Sequence, residues 1–174
     1  QLVSFPKVRI WKPWFRHFNN HKEFRNEGTV HLFSLMALFS YANFRSNERM
    51  ISGERYMEAP GQWICKLGSL PRILRVHSKR QALEQLDYYE KYGFLTYEWL
   101  DEENEIIRFS ITNWKEHCTS LQYNYYSYKG SGFFFFPLPV GRMLLRVARK
   151  TEGIVFSELD AIMDMWLHTI LNDP

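Results

Sequence analysis

Six side chains between residues 72 and 81 have the clearest chemistry in the sequence. They are basic or hydrogen-bonding groups: Arg72, Arg75, Ser78, Lys79, Arg80 and Gln81. In general, an arginine can donate two hydrogen bonds to guanine, and a glutamine can exchange two with adenine. Lysine and further arginines suit phosphate, which positions a protein on a duplex. These residue types therefore have the chemistry of DNA contacts, and the alternative interpretation is a solvated basic face.

The charge is unevenly distributed along the chain. The formal net charge is only +3, but residues 1–80 hold 14 of the 22 Lys and Arg and 5 of the 19 Asp and Glu. A basic half indicates an anionic partner such as nucleic acid, and an ordinary surface of uneven composition is the alternative. Trp11–Phe18 mixes aromatic and basic side chains, which suits single-stranded nucleic acid. A place for these aromatic rings in the core is the preferred interpretation.

A helix predicted at about Ser78–Tyr92 positions most of the cluster. Its first residue is a serine, whose hydroxyl can accept a hydrogen bond from an N–H group of the first turn. Ala82, Leu86 and Tyr89 recur at helical spacing and so share one face. Gly93 follows, and glycine readily adopts the left-handed conformation that often ends a helix.

The elements around this helix predict a winged helix. An extended segment at Tyr56–Ile64 leads into a short helix at about Ser69–Arg75, whose two arginines are three residues apart and so share a face. After the longer helix, the alternating runs Leu95–Leu100 and Glu105–Ile111 are separated by a polar turn and predict a β-hairpin. This order belongs to the α+β class and is that of a winged helix-turn-helix.

Upstream, the helix predicted at Thr29–Tyr41 should be the first helix of this domain, because its apolar residues repeat every three or four positions. An extended lead-in at Phe5–Trp11 precedes it. Ala42–Arg49 follows it and is predicted to be a polar loop. We place the winged-helix domain at residues 1–118.

Residues 119–174 are predicted to form a C-terminal extension that packs on this domain or leads to a further one. Phe133–Phe136 is an apolar block, for which a buried strand is the first interpretation and an aromatic binding platform the second. Gly141–Lys150 has a basic, helical pattern. Ser157–Asp160 resembles a capping box and predicts the start of another helix, whose apolar face is either core or a dimer seam.

Patterns for catalysis or metal binding are weak. His17 and His21 have a spacing that can bind metal on a helix, but no third ligand is nearby, so surface histidines are preferred. His117 directly precedes Cys118, which is not a nucleophile arrangement in an extended segment. The sequence contains no glycine-rich phosphate loop. We therefore predict that the chain is not an enzyme and uses no cofactor, metal or small-molecule substrate.

The composition argues against several classes of protein. Of the 174 residues, 45% are hydrophobic and 17% aromatic, so a packed core is expected rather than disorder. No apolar run approaches the roughly 20 residues that span a bilayer. The first residues lack the pattern of a signal peptide. Cys65 and Cys118 fit reduced thiols, and a disulfide between them is the less favoured alternative. These features predict a cytoplasmic protein without a membrane partner.

The order of these marks resembles the N-terminal winged-helix domain of replication proteins from phages and mobile elements, the replisome-organiser group linked to DnaD-type initiators. The marks lie between residues 31 and 114: His31-Leu32-Phe33, Ala42-Asn43, Pro60-Gly61-Gln62-Trp63-Ile64, Ser78, Gln81, Leu86, Gly93 and Ile111-Thr112-Asn113-Trp114. The tail from Tyr123 is similar to helix-turn-helix proteins of conjugative elements in Gram-positive bacteria.

This resemblance implies double-stranded DNA binding in replication initiation or transcription regulation, with a homodimer as an open possibility. It implies that Lys79, Arg80 and Gln81 contact DNA in the first turn of a recognition helix. Asp87 and the acidic run Asp101–Glu103 support a second hypothesis, because carboxylates repel phosphate. In that hypothesis the winged helix is a protein-interaction or oligomerisation domain without direct DNA contact.

Overall fold

The computed structural model describes residues 7–11, 32–115, 133–137 and 165, and these residues form an α+β structure. The helices are α1 (Leu32–Tyr41), α2 (Leu70–Leu74), which follows a 3-10 turn at Leu67–Ser69, and α3 (Lys79–Lys91). The strands are β1 (Lys7–Trp11), β2 (Asn47–Ile51), β3 (Glu54–Glu58), β4 (Gln62–Lys66), β5 (Leu95–Asp101), β6 (Ile106–Ile111) and β7 (Phe133–Pro137).

The described strands pair in three antiparallel sheets. The largest is three-stranded, in the order β4-β6-β5, so that β6 is central and β5 and β6 form the hairpin predicted from the sequence. β2 pairs with β3. β1 pairs with β7, which joins the extended lead-in to the strand predicted at Phe133–Phe136. Both of these strand predictions are confirmed at the level of the backbone.

The inner face of the three-stranded sheet packs on the three helices. Cross-strand register places Trp63 opposite Phe109 and Cys65 opposite Ile107, and all four are buried in one core with the helices. Because side chains alternate along a strand, Ile64 points to the other face of the sheet. Ile64 is nevertheless completely buried, so the outer face near β4 is also covered.

Helix α1 is buried more completely than its sequence pattern predicted. Its fully buried apolar residues follow one another around the helix: Leu35, Met36, Ala37, Leu38 and Phe39. Two serines are also buried, and each has a partner within the protein. The hydroxyl of Ser34 donates to the carbonyl of Leu74 at 3.1 Å, and that of Ser40 donates to Ala37 at 2.6 Å. The first of these bonds connects α1 to the end of α2.

The β2–β3 hairpin corrects the prediction of a polar loop at Ala42–Arg49. β2 begins at Asn47, so only the first part of that segment is irregular. The two strands are joined by Ser52 and Gly53 alone, with φ of 54° and 90°. Positive φ at both positions is typical of the tight turn whose twist matches paired strands. The missed signal was this Ser-Gly pair.

The carboxylate of Glu58 connects three parts of the fold. It is buried at the end of β3. Its Oε2 accepts from the side-chain amide of Asn43 at 2.5 Å and from that of Asn47 at 3.2 Å. Its Oε1 accepts from the backbone N–H of Ile64 at 2.7 Å and lies 3.8 Å from the guanidinium of Arg49. These bonds join the segment after α1, the hairpin and β4.

Replacing Glu58 with alanine should destabilise the protein by about 3–5 kcal/mol, as for the removal of one partner from a buried charged network. Glu58→Gln keeps the shape and one acceptor oxygen, and the neighbouring asparagine amides can rotate to accept from its NH2 group. It should therefore cost less than half as much. Denaturant unfolding of both variants measures the difference, and equal losses would show that the asparagine amides do not rotate to accept from the NH2 group.

Gly61 lies in a position that only glycine fits. Its φ is 85°, and its N–H donates to the carbonyl of Asn43 at 2.7 Å, while its carbonyl accepts from Ile111 at 2.9 Å. A Cβ at this residue would lie 2.6 Å from both Cβ and Cγ of Trp114. Trp114 is itself buried and contacts the ring of Phe39. Close packing of backbone against indole therefore closes the core beside the end of β6.

Gly61→Ala should cost about 1–3 kcal/mol more than Gly53→Ala, because both introduce a side chain at positive φ but only the first creates a clash. Gly53 is a matched control, since its φ is 90° and a Cβ there would meet nothing within 4 Å. Urea unfolding of the two variants gives the comparison. Equal stabilities would show that the contact with Trp114 relaxes without cost.

Cys65 is buried and free, as predicted for a reduced thiol. Burial raises its pKa to about 12, an effect that nearby Arg49 partly opposes.

Other predictions fall on residues outside the described ranges. They concern His17, His21, Cys118, the helix at Gly141–Lys150 and the N-terminal turn of the helix predicted to begin at Thr29. Of the helix predicted after Ser157, only Met165 is described, and it is helical.

Candidate nucleic-acid interface

The start of α3 is fixed by two reciprocal hydrogen bonds. Ser78 is extended and its hydroxyl accepts from the N–H of Gln81 at 3.2 Å, so the predicted N-cap is confirmed. The side-chain oxygen of Gln81 accepts in turn from the N–H of His77 at 2.8 Å. This is a capping box whose return bond reaches one residue further back than usual. These two bonds therefore fix the backbone of the first turn, which carries the side chains of Lys79 and Arg80.

Burial divides α3 into two faces. Ala82, Leu86 and Tyr89 are completely buried, which confirms the predicted inner face. Gln85 is also buried on this side. The exposed stripe follows the spacing of one helical face and contains Arg80, Glu84, Asp87 and Lys91. Its charge changes along the helix, because the bases of the first turn are followed by carboxylates in the second and third turns.

Lys79 and Arg80 are the accessible bases of the first turn. The side chain of Lys79 is 49% exposed and forms an ion pair with Glu105, the residue before β6. The side chain of Arg80 is 80% exposed and lies 2.6 Å from Glu84, one helical turn away. Ion pairs at such exposure contribute little to stability. Both bases are therefore free to exchange these partners for an external anion.

The two arginines of α2 are in different environments. Arg72 is exposed on the helix, where it can reach a ligand. Arg75 lies beyond the last helical residue and has a left-handed backbone with φ of 60°. It is half-buried, and this burial lowers the pKa of its guanidinium. The short helix was predicted to include Arg75, whereas Arg75 is the C-cap that follows Leu74 and is less exposed than Arg72.

Gln81 has a structural role that its sequence position did not reveal. Adenine recognition requires both the oxygen and the amide nitrogen of a glutamine side chain. Here the oxygen is held by the N–H of His77, and the side chain is half-buried. Contact with a base would require this bond to be shared or broken, at a cost of about 1 kcal/mol. Gln81 is thus placed beside the exposed bases but serves the cap.

The β5–β6 hairpin runs back along α3 and is bonded to it at both ends. The hydroxyl of Tyr97 donates to the carboxylate of Asp87, and its N–H donates to Glu90 at 3.2 Å. At the other end Glu105 pairs with Lys79. Burial raises the pKa of Tyr97, and the hydrogen bond to Asp87 and the negative charge of Asp87 raise it further. The helix and the hairpin therefore form one unit, and sequence periodicity gave no signal of these links.

The tip of the hairpin is acidic in the structure as well as in the sequence. Asp101 accepts from the N–H of Asn104 at 2.9 Å and from its side-chain amide at 2.7 Å. These bonds lower the pKa of Asp101, so the carboxylate is ionised at neutral pH. Glu102 and Glu103 beside it are exposed. This tip repels phosphate, so among the described residues the start of α3 and α2 are better candidates for DNA contact than the hairpin tip.

We expect Asn104→Ala to raise the pKa of Asp101 toward its ordinary value, because the variant lacks the side-chain bond that contributes most to the shift. The stabilisation from this bond is present above the unfolded pKa of the aspartate and is lost as the pH falls through the lower folded value. NMR titration of the Asp101 carboxyl carbon measures the shift. An unchanged titration in the variant would contradict this origin.

Comparisons with protein-family models, with curated proteins and with solved structures found no match to this chain. The resemblance to replisome-organiser proteins therefore stays a prediction.

Within the described residues, no group of three or more His, Cys, Asp or Glu side chains could hold a metal ion. No helix in the same part of the chain is long and apolar enough to cross a membrane.

Proposed function

We propose that residues 32–115 are a winged helix that binds double-stranded DNA through the first turn of α3. The observation that carries this proposal is the exposure of Lys79 and Arg80 at a rigidly capped helix start, with exposed Arg72 on the preceding helix. In a winged helix this turn lies at the major groove. The order α1, β4, α2, α3 and the β5–β6 hairpin supports this fold.

The local electrostatics of α3 supports a functional reason for these bases. The N-terminus of a helix carries a partial positive charge, so acidic side chains are favourable there and basic ones are not. The first turn of α3 contains two bases and no acid. Residues that contradict a local stability rule are often retained for function. A phosphate at this turn would interact favourably with the helix dipole and with both side chains.

In this proposal, the six predicted site residues have different roles. Arg80 is the best candidate for a guanine contact, because its side chain is 80% exposed and its guanidinium can donate two parallel hydrogen bonds. Lys79 and Arg72 suit phosphate. Ser78 and Gln81 position the helix. Arg75 is half-buried, so it would contribute to DNA binding at most through its charge and not through a direct contact.

A replication initiator or a transcription regulator of a mobile element is the proposed biological setting, and it rests on the family resemblance alone. The second candidate function is a protein-interaction or oligomerisation domain. The observation that favours it is the charge of residues 32–115, which contain 11 Lys and Arg and 11 Asp and Glu. A neutral domain has no long-range attraction for a polyanion, so DNA affinity would depend on the few bases named above.

Changing both Lys79 and Arg80 to alanine should weaken duplex binding at least about tenfold, and it should reduce the salt dependence of binding by roughly two counterions. Lys91→Ala is the matched control, because Lys91 is an exposed base at the far end of α3. Fluorescence anisotropy with labelled duplexes at several salt concentrations measures both quantities. If the double variant binds as well as Lys91→Ala, α3 does not contact DNA through its first turn.

Glu105→Gln should have the opposite effect on the same assay. It releases Lys79 from its ion pair, so affinity should rise by a factor of about 1.4 to 5, the equivalent of an exposed pair worth about 0.2–1 kcal/mol. Glu102→Gln removes one negative charge from the hairpin tip and is the control for the change in net charge alone. A domain that binds only proteins would show no duplex binding in any of these variants, even at low ionic strength.

A further inference from the structure

The β2–β3 hairpin has one face that nothing in the described fold covers. Strand register places Glu48 opposite Met57 and Met50 opposite Arg55. Since directly opposed and alternate residues lie on the same side of a sheet, these four side chains form one face, called here the outer hairpin face. All four are exposed, and the two methionines are 57% and 62% exposed.

The opposite side of the same hairpin is partly covered by the rest of the protein. Glu58 is fully buried there, while Arg49 and Tyr56 are half-buried. Arg49 also lies over the ring of Trp63, 4.9 Å from its centroid. The hairpin is therefore held in place by its inner side. Its outer face is consequently presented to solvent on a rigid support, including two large apolar side chains that a solvated strand does not need.

The charges of this face are arranged on a diagonal. Arg55 and Glu48 lie at opposite corners of the four-residue patch, and their side chains approach to 3.5 Å. The methionines occupy the other two corners. The patch therefore has an apolar diagonal and a charged diagonal, with one positive and one negative end.

We propose that this outer hairpin face binds the same face of a second copy of the chain. A two-fold axis along the line from Met50 to Met57 would bring each methionine against its own counterpart. The same axis would place Glu48 against Arg55 of the second copy, and Arg55 against its Glu48. A patch that is complementary to itself in this way satisfies the requirement for a symmetric dimer interface.

The geometry of paired strands is compatible with this arrangement. With strands about 4.8 Å apart and a rise of about 6.8 Å for two residues, the diagonal is inclined by about 35° to the strands. The hairpins of the two copies would then cross at about 70°, close to the orthogonal class of sheet packing. The ion pair within each copy is exposed, so exchanging these two pairs for two pairs between the copies costs little.

The four-residue patch is small beside the roughly 800 Å² per partner of a standard interface. We therefore expect a reversible dimer whose population increases over the micromolar to millimolar range of protein concentration. Dimerisation would present two α3 helices in one particle. The inference does not depend on the proposed DNA binding, and its test uses the full chain without any nucleic acid.

The test is sedimentation equilibrium of two single variants, Glu48→Arg and Arg55→Glu, alone and mixed. Each alone places like charges against each other twice in the symmetric dimer, so self-association should weaken at least about tenfold. In an equimolar mixture, each altered charge faces an opposite one on the other variant. The mixture should therefore associate as a 1:1 heterodimer to within about threefold of the unaltered protein.

Glu54→Arg is the matched control, since it reverses a charge in the same hairpin but on the other side. Met50→Ser should also weaken association, without changing any charge. Far-UV circular dichroism and thermal melting of every variant exclude unfolding as the cause. A chain that stays monomeric at millimolar concentration would overturn the proposal. So would single variants that associate as the unaltered chain does, or a mixture in which association is not restored.

Discussion

The fold depends on a buried carboxylate that has all its hydrogen-bond partners. Glu58 is completely removed from solvent, a state that is costly for a charge unless donors surround it. Two asparagine side chains, one backbone N–H and a nearby arginine supply those donors. They come from the segment after α1, from the hairpin and from β4. The carboxylate can be satisfied only when these three segments have their native positions, so it links the hairpin to the helical core.

The candidate site inherits its geometry from this framework. β4 is held by Glu58 and pairs with β6, β6 pairs with β5, and β5 contacts α3 through Tyr97. Helix α3 in turn packs on the core through Ala82, Leu86 and Tyr89. The exposed bases thus project from a helix whose position is set by the sheet. Their flexibility is confined to their own side chains, which is the condition for a preorganised contact surface.

Most of α3 and of the β5–β6 hairpin could be predicted from the sequence, because each is specified by local chemistry. The cap at Ser78, the glycine after the helix and the alternation in β6 are signals that act within a few residues. The β2–β3 hairpin could not be recognised as readily, since apolar and polar residues do not alternate along its strands and only a Ser-Gly pair marks the turn. The burial of Glu58 depends on donors up to 15 residues away in sequence, which no local pattern shows.

The same contrast separates two kinds of residue within the candidate site. Residue type and spacing placed six side chains in one predicted site. The tertiary structure separates those with a structural role from those without one. Ser78 and Gln81 form the cap, and Arg75 ends α2 in a left-handed conformation. Arg72, Lys79 and Arg80 have no comparable structural duty among the described contacts beyond exposed ion pairs. On a DNA-binding surface, one arginine suited to guanine and two bases suited to phosphate would read little of the base sequence. If this surface binds DNA, strong sequence selectivity would have to come from a second copy of the site or from DNA shape, rather than from further base contacts of a single α3.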